Sequence, residues 1–235
     1  MSITKLQGPN VSDSDISPGA IKIDNISVIN HKGLGANLKD VMVTLELHED
    51  IMSPFMSGRL TISDANAIAE LMPFVGEEML IIDMETPGME QYPLCKKHYV
   101  FHIYKMEGQE PVGIKNNIVT FCFSSIETFS DVNTRLTQTY RGKISSIAER
   151  IIKGEPGLKS NKEALIEETT NNEVYTSNFW SPVQNLYYLT SKAINSKGWQ
   201  NYVFFENNEG LVFASLDTLY SGPPTMQFLK HSAAR

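Results

Sequence analysis

Val41-Met42-Val43-Thr44-Leu45-Glu46-Leu47-His48 decides the fold class. Val41, Val43, Leu45 and Leu47 recur at every second position, with Thr44, Glu46 and His48 among the residues between them. That period belongs to a strand with one face buried and the other wet. Upstream, Ile21 and Ile23, then Ile26 and Val28, alternate with polar neighbours; downstream, Arg59-Leu60-Thr61-Ile62 does the same. Met79-Leu80-Ile81-Ile82 is apolar on both faces, so it should be covered on both sides. His98 to Lys105 and Ile118 to Ser124 complete the set across a loop holding Gly108, Pro111 and Gly113. Several strands punctuated by glycine and proline predict an antiparallel sandwich or barrel. One short helix interrupts them: Asp64 is its N-cap, Ala65, Ile68, Ala69 and Met72 line one face, and Pro73 stops it.

After residue 130 the period changes. Ile144, Ile147, Ala148, Ile151 and Ile152 form a helical stripe, with Gly142 before it and Gly154 at its C′ position. Residues 155–173 are polar and read as a loop. Ser181-Pro182 opens a second helix, with Gln184 completing a capping box. Val183, Leu186, Tyr187, Thr190, Ala193 and Ile194 form its inner face and Gly198 ends it. Tyr202 to Phe205 and Leu211 to Ala214 read as a hairpin around Asn207-Asn208-Glu209-Gly210. The expectation is therefore an α+β chain, mainly β. A polar N-terminal arm (1–18) precedes an antiparallel β-barrel (19–131), and a smaller α+β domain (132–235) follows, with two amphipathic helices and a hairpin.

The 235 residues are 41% hydrophobic and 20% charged, with a net charge of -7, which excludes a disordered chain. An acidic surface disfavours phosphate-backbone binding, though it suits a wall that DNA slides past. Cys95 and Cys122 make no disulfide framework. The opening MSITKLQGPNVSDSD has no apolar h-region, and no stretch approaches the roughly 18 apolar residues of a membrane helix. A soluble protein folding in a reducing cytoplasm is expected, without membrane insertion.

Chemistry finds little purchase. Cys95, His98, His102 and Cys122 are metal-ligand types. His98 and His102 share one extended run, however, with Cα atoms about 13 Å apart, too far to share an ion. Gly33-Leu34-Gly35 resembles a dinucleotide fingerprint but has Leu38 in place of the third glycine and leads into a strand. Gly142-Lys143-Ile144-Ser145 resembles a phosphate loop but has Ile144 where Ser or Thr is needed. The neighbouring carboxylates Glu49-Asp50, Glu77-Glu78 and Glu167-Glu168 point to opposite strand faces or into solvent. No serine sits in a G-x-S-x-G elbow. Tyr140, Trp180, Tyr187, Tyr188, Trp199 and Tyr202 could form a sugar or base platform, yet most lie on core stripes. No catalytic, cofactor-binding or metal residue is assigned.

The loop Ile51-Met52-Ser53-Pro54-Phe55-Met56-Ser57-Gly58 is different: it gathers large apolar residues in a turn. Such a loop is either barrel packing or an interface. Met52, Pro54, Phe55 and Met56, with Phe74, are the candidate subunit-interface residues.

Three segments in this order resemble the central baseplate hub proteins of contractile-tailed phages, whose fold is shared with type VI secretion spike proteins. Ser57-Gly58-Arg59-Leu60-Thr61-Ile62-Ser63-Asp64 with Pro73-Phe74-Val75-Gly76-Glu77-Glu78 is similar to the strand–Asp–helix–Pro-x-x-Gly-Glu run of the first hub barrel. Tyr140-Arg141-Gly142-Lys143 resembles the helix start after that barrel. Tyr175 to Ala214, with Gly198-Trp199 and Tyr202-Val203-Phe204-Phe205, resembles the helix–hairpin segment. The likeness covers residues 20–218.

The resemblance implies a non-enzymatic virion protein of the tail baseplate, assembled in the host cytoplasm. It would be a homotrimer whose barrel serves as a tube domain, joining the sixfold tail tube to the threefold spike. Its partners would be tube-initiator proteins, the spike and the tape-measure protein, and DNA would pass through the lumen without specific binding. Hub proteins carry a second barrel after the helix–hairpin domain, whereas here Arg235 follows soon after Gly222-Pro223-Pro224. Either the chain is a fragment or a partner supplies that barrel. Two other readings stand beside this one: another tail component, such as a tube initiator or wedge adaptor, and a carbohydrate-binding or hydrolytic β-domain.

Overall fold

The computed structural model describes residues 20–64, 75–76, 78–87, 95–111 and 117–222. The expected N-terminal arm, the short helix over 65–72 and Phe74 lie outside the described residues. The chain forms two compact units, one of residues 20–49 and 56–129, the other of residues 50–55 and 130–222.

The first unit is a curled, seven-stranded antiparallel sheet. Its strands are β1 (Lys22–Ile29), β2 (Gly35–Asn37), β3 (Met42–His48), β4 (Ser57–Asp64), β5 (Met79–Glu85), β6 (Lys96–Pro111) and β7 (Asn117–Ser125). The spatial order is β2-β1-β5-β6-β7-β4-β3, which leaves β2 and β3 at opposite edges. Those edge strands are consecutive in the chain, joined only by Leu38 and a 3-10 turn, Lys39–Val41. Four linking residues span at most about 18 Å. The sheet must therefore bend until its edges approach, and Leu38, fully buried, fills the bend, its N–H donating to the Ile26 carbonyl at 2.8 Å.

Alternation then assigns the faces. Ile26, Val28, Leu80, Ile82, Phe101, Ile103, Val119, Phe121, Phe123, Leu60 and Ile62 form the core, with Leu45 and Leu47 packed against it. Each such side chain contributes roughly 1.5–3 kcal/mol of burial, well above the ~0–1 kcal/mol of an exposed ion pair. Two strands break the simple period. Val43 is the extra residue of a β-bulge between Met42 and Thr44 and is 55% exposed, so it leaves the face it was expected to share with Leu45 and Leu47. Val41 belongs to the 3-10 turn. In β6, the bulge residues Tyr104 and Gly108 reset the register against β7. Met79-Leu80-Ile81-Ile82 is covered on one side only: Leu80 and Ile82 are buried, Ile81 is half-buried and Met79 is exposed.

Gly58 explains why Ser57-Gly58-Arg59 reads as it does. A Cβ there would lie 2.1 Å from the Glu46 carbonyl oxygen and 2.5 Å from the Phe123 ring. Only glycine lets β3 and Phe123 close on β4 together.

The second unit carries most of α1 to α4 and the remaining strands: α1 (Ile126–Asn133, shared with the first unit), β8 (Thr139–Lys143), α2 (Ile144–Lys153), β9 (Ala164–Ile166), β10 (Asn172–Thr176), α3 (Pro182–Thr190), β11 (Tyr202–Asn207), β12 (Gly210–Ser215) and α4 (Leu216–Tyr220). The isoleucine stripe of α2 is buried as expected, and Gly154 caps it, its N–H donating to the Arg150 carbonyl. Ser181 and Gln184 form the reciprocal capping box of α3. The expected hairpin is formed by β11 and β12, with Tyr202 opposite Ser215 and Asn207 opposite Gly210.

Two expectations are corrected. Residues 155–173 are not all loop, because β9 pairs in parallel with β12 and Asn172 begins β10, which pairs with β8. The second helix ends at Thr190, well before Gly198. Beyond it the Asn171 amide takes over the backbone, accepting from the Ile194 N–H (3.1 Å) and donating to the Lys192 carbonyl (2.8 Å). Tyr187 is correspondingly exposed, and Leu189 takes the buried position.

Two substitutions test this packing by chemical denaturation. Gly58→Ala should cost about 1–3 kcal/mol through overpacking; a loss near zero would mean that β3 is not seated on β4 as described. Ser181→Ala should cost about 1 kcal/mol through the lost cap.

Candidate interaction surfaces

Most of the residues considered for chemistry have a structural place, while His102 Nδ1 is buried with no hydrogen-bond partner among the described residues. Among the described residues no group of three His, Cys, Asp or Glu side chains could hold a metal ion. His98 Nδ1 lies 2.6 Å from Asp83 Oδ1 across the β5–β6 register, and this contact, with an Asn25 amide donor, holds the Asp83 carboxyl below its usual range. His102 stacks on Phe129 at 5.5 Å. Cys95 and Cys122 are free and buried, and burial pushes the Cys122 thiol up. Gly33 and Leu34 lie in the β1–β2 turn, where the Asn30 carboxamide accepts from the Lys32 and Leu34 N–H groups and Gly33 has φ +76°. No described helix is long and apolar enough to cross a membrane.

The carboxylates are similarly engaged. Buried Glu78 folds back on its own turn, accepting from the Val75 N–H (2.7 Å) and the Gly76 N–H (2.9 Å). Gly76, at φ +88°, lets the chain turn back so that both N–H groups reach that carboxylate. Burial pushes the Glu167 carboxyl up, but donation from the Ser215 N–H, the Asn195 amide and the Thr218 hydroxyl outweighs it and sets the group below its usual range. Glu168 pairs with Lys143, and Asp50 accepts from the Met52 N–H. Tyr140, Tyr175, Tyr188 and Trp180 contact one another in that order at 4.8–5.6 Å, the first pair stacked and the others tilted, with Tyr140 and Tyr175 buried. Trp199 instead lies under the Lys197 ammonium at 4.5 Å. The aromatic residues therefore build packing and do not converge on a cleft.

The apolar loop divides. Phe55 is buried in the core of the second unit, edge-on to Phe204 at 6.2 Å. Met56 is buried in the core of the first unit. Pro54 is half-buried and Met52 is 72% exposed. Ile51 packs against the Phe205, Val212 and Ala214 cluster. Within this loop Met52 is the apolar side chain left open to solvent.

Sequence reasoning missed α1. Ile126, Phe129 and Val132 follow the i, i+3, i+6 spacing of a helical stripe, yet they are 36%, 49% and 63% exposed, while Glu127 is the buried residue. This helix is inverted: its apolar stripe faces out. The spacing is visible in the sequence, but its direction is not, because a stripe of three residues normally faces the core.

No protein-family model matches the chain, and no curated protein matches it significantly. Solved structures do share its fold. The 43 kDa tail protein of prophage MuSo2 from Shewanella oneidensis is 10% identical with a TM-score of 0.53, over 80% of this chain and 52% of that one. A tail protein from Neisseria meningitidis is 13% identical, TM-score 0.53, over 86% and 52%. The prophage tail protein gp18 from Listeria monocytogenes is 10% identical, TM-score 0.51, over 90% and 56%. The chain spans about half the length of these proteins. At such identities the likeness is one of fold alone.

Proposed function

We propose that the chain is a structural subunit of a phage tail baseplate, and specifically of its central hub. In this reading it is a homotrimer that joins the sixfold tail tube to the threefold spike and forms part of the channel for tape measure and DNA. One observation carries the assembly reading: the outward apolar stripe Ile126, Phe129 and Val132 on α1. A stripe of this size costs free energy in water, and a sister subunit would cover it. Met52 in the 50–55 loop and Met79 beside half-buried Ile81 extend the exposed apolar set. Pro54 and Phe74 remain interface candidates. The tail-protein fold supports the place of assembly, and the structural bonds made by Asp50, Glu78, His98, Glu167 and Glu168 agree with a role without chemistry.

The hub reading predicts a particle of three times the 26.3 kDa chain, alone or with tail partners, in mass photometry. Val132→Glu should shift that population toward monomer while leaving the denaturation midpoint nearly unchanged, since Val132 is 63% exposed. A chain that stays monomeric with its partners present refutes the hub. A sixfold ring would instead identify a tube initiator.

A further inference from the structure

The outer face of the first unit, opposite its core, is a set of cross-strand polar pairs. On its β6-β7-β4-β3 half, one row runs Lys105, Cys122, Arg59, Glu46 and the next Glu107, Thr120, Thr61, Thr44. Thr44, Glu46, Arg59, Thr61, Glu107 and Thr120 line a shallow recess of about 340 Å³. Its groups satisfy one another. The Thr61 and Thr120 hydroxyls lie 3.0 Å apart. Glu107 receives Lys105 Nζ at 2.7 Å and Arg59 at 3.9 Å, and Glu46 lies 3.8 Å from His48. The Lys105 ammonium holds the Glu107 carboxyl below the usual carboxylate range. Arg59 in the recess and Lys105 beside it thus face one carboxylate placed between them.

Phosphate-backbone affinity comes from lysine and arginine that replace condensed counterions, so a cation already neutralised within its own sheet offers less to a nucleic acid. The two rows carry no exposed large apolar side chain, the apolar groups nearest them being half-buried Ile118 in the recess and Val43 at the β3 bulge, and such a polar surface is a poor protein interface. We propose that this hydroxyl-lined face is the wall of the channel, and that Glu107 masks Arg59 and Lys105 from the phosphodiester polyanion passing along it. The inference rests on the assembly reading for the position of the face; the masking does not.

The two parts are tested separately. Glu107→Gln frees both cations, and Glu209→Gln, in the exposed β11–β12 turn, makes the same change of net charge elsewhere. At low salt, fluorescence anisotropy with a labelled DNA duplex should show E107Q binding about tenfold tighter than the unaltered chain, with a salt slope steeper by up to about 2, and E209Q near the unaltered value. Equal behaviour of the two variants overturns the masking. For position, Thr44→Cys, with Thr61→Cys as a second variant, is labelled in the assembled particle. A small maleimide should react and one carried on a long polyethylene glycol chain should not, whereas the free chain should react with both. Labelling by the bulky reagent in the particle, or by neither, overturns the channel position. Failure to form any particle refutes the assembly reading and the channel position together, while the DNA measurement still decides the masking.

Discussion

Residues 38–41 join the two edge strands of one seven-stranded sheet, and much of the first unit follows from that short link. A chain of four residues cannot reach across a flat sheet of seven strands spaced ~4.8 Å apart, so the sheet curls. Curling creates an inside, which Leu38 and the alternating residues of six strands fill. It equally creates an outside that the unit's own described residues do not cover. The bulges at Val43, Tyr104 and Gly108 lie in the edge strand β3 and the long strand β6, where added twist accommodates the bend. Gly58 permits the tightest approach within it.

The two faces then diverge in chemistry. The inner face is apolar along most of its length, with Asp64 and Ser125 buried at the strand ends. The outer face alternates between paired charges, paired hydroxyls and a short apolar band at Met79, Ile81 and Val100, where His102 and Phe129 stack. The inverted stripe of α1 adds exposed apolar surface. A monomer leaves Met79 and the α1 stripe exposed, while the charges pair with one another. In the proposed assembly each part would have a use: apolar stripes would meet sister subunits, and self-neutralised rows would face a path along which a polyelectrolyte must move without sticking.

Much of the fold was legible in the sequence where local signals are strong. The Ser181-Pro182-Gln184 cap, the α2 isoleucine stripe and the hairpin around Asn207–Gly210 each rest on a few neighbouring residues, and each is observed. What escaped depends on distant partners. Val43 leaves its face because β4 dictates a bulge; β9 exists because β12 offers a parallel edge; α3 stops at Thr190 because Asn171 captures the backbone beyond it. The apolar loop at 51–58 could not be divided from sequence, since Phe55 and Met56 are adjacent yet serve different cores and only Met52 is left exposed. The α1 stripe was written in the spacing, but its outward direction was not.

The account turns on where the outer face lies once the chain is assembled. A density map of the intact tail tip tests this most directly. It should place three copies around one axis, with the Thr44, Thr61 and Thr120 rows turned toward a continuous central channel and Ile126, Phe129 and Val132 buried between protein surfaces. A map with those threonines on the outside of the particle, or with the α1 stripe open to solvent in the finished assembly, would contradict it.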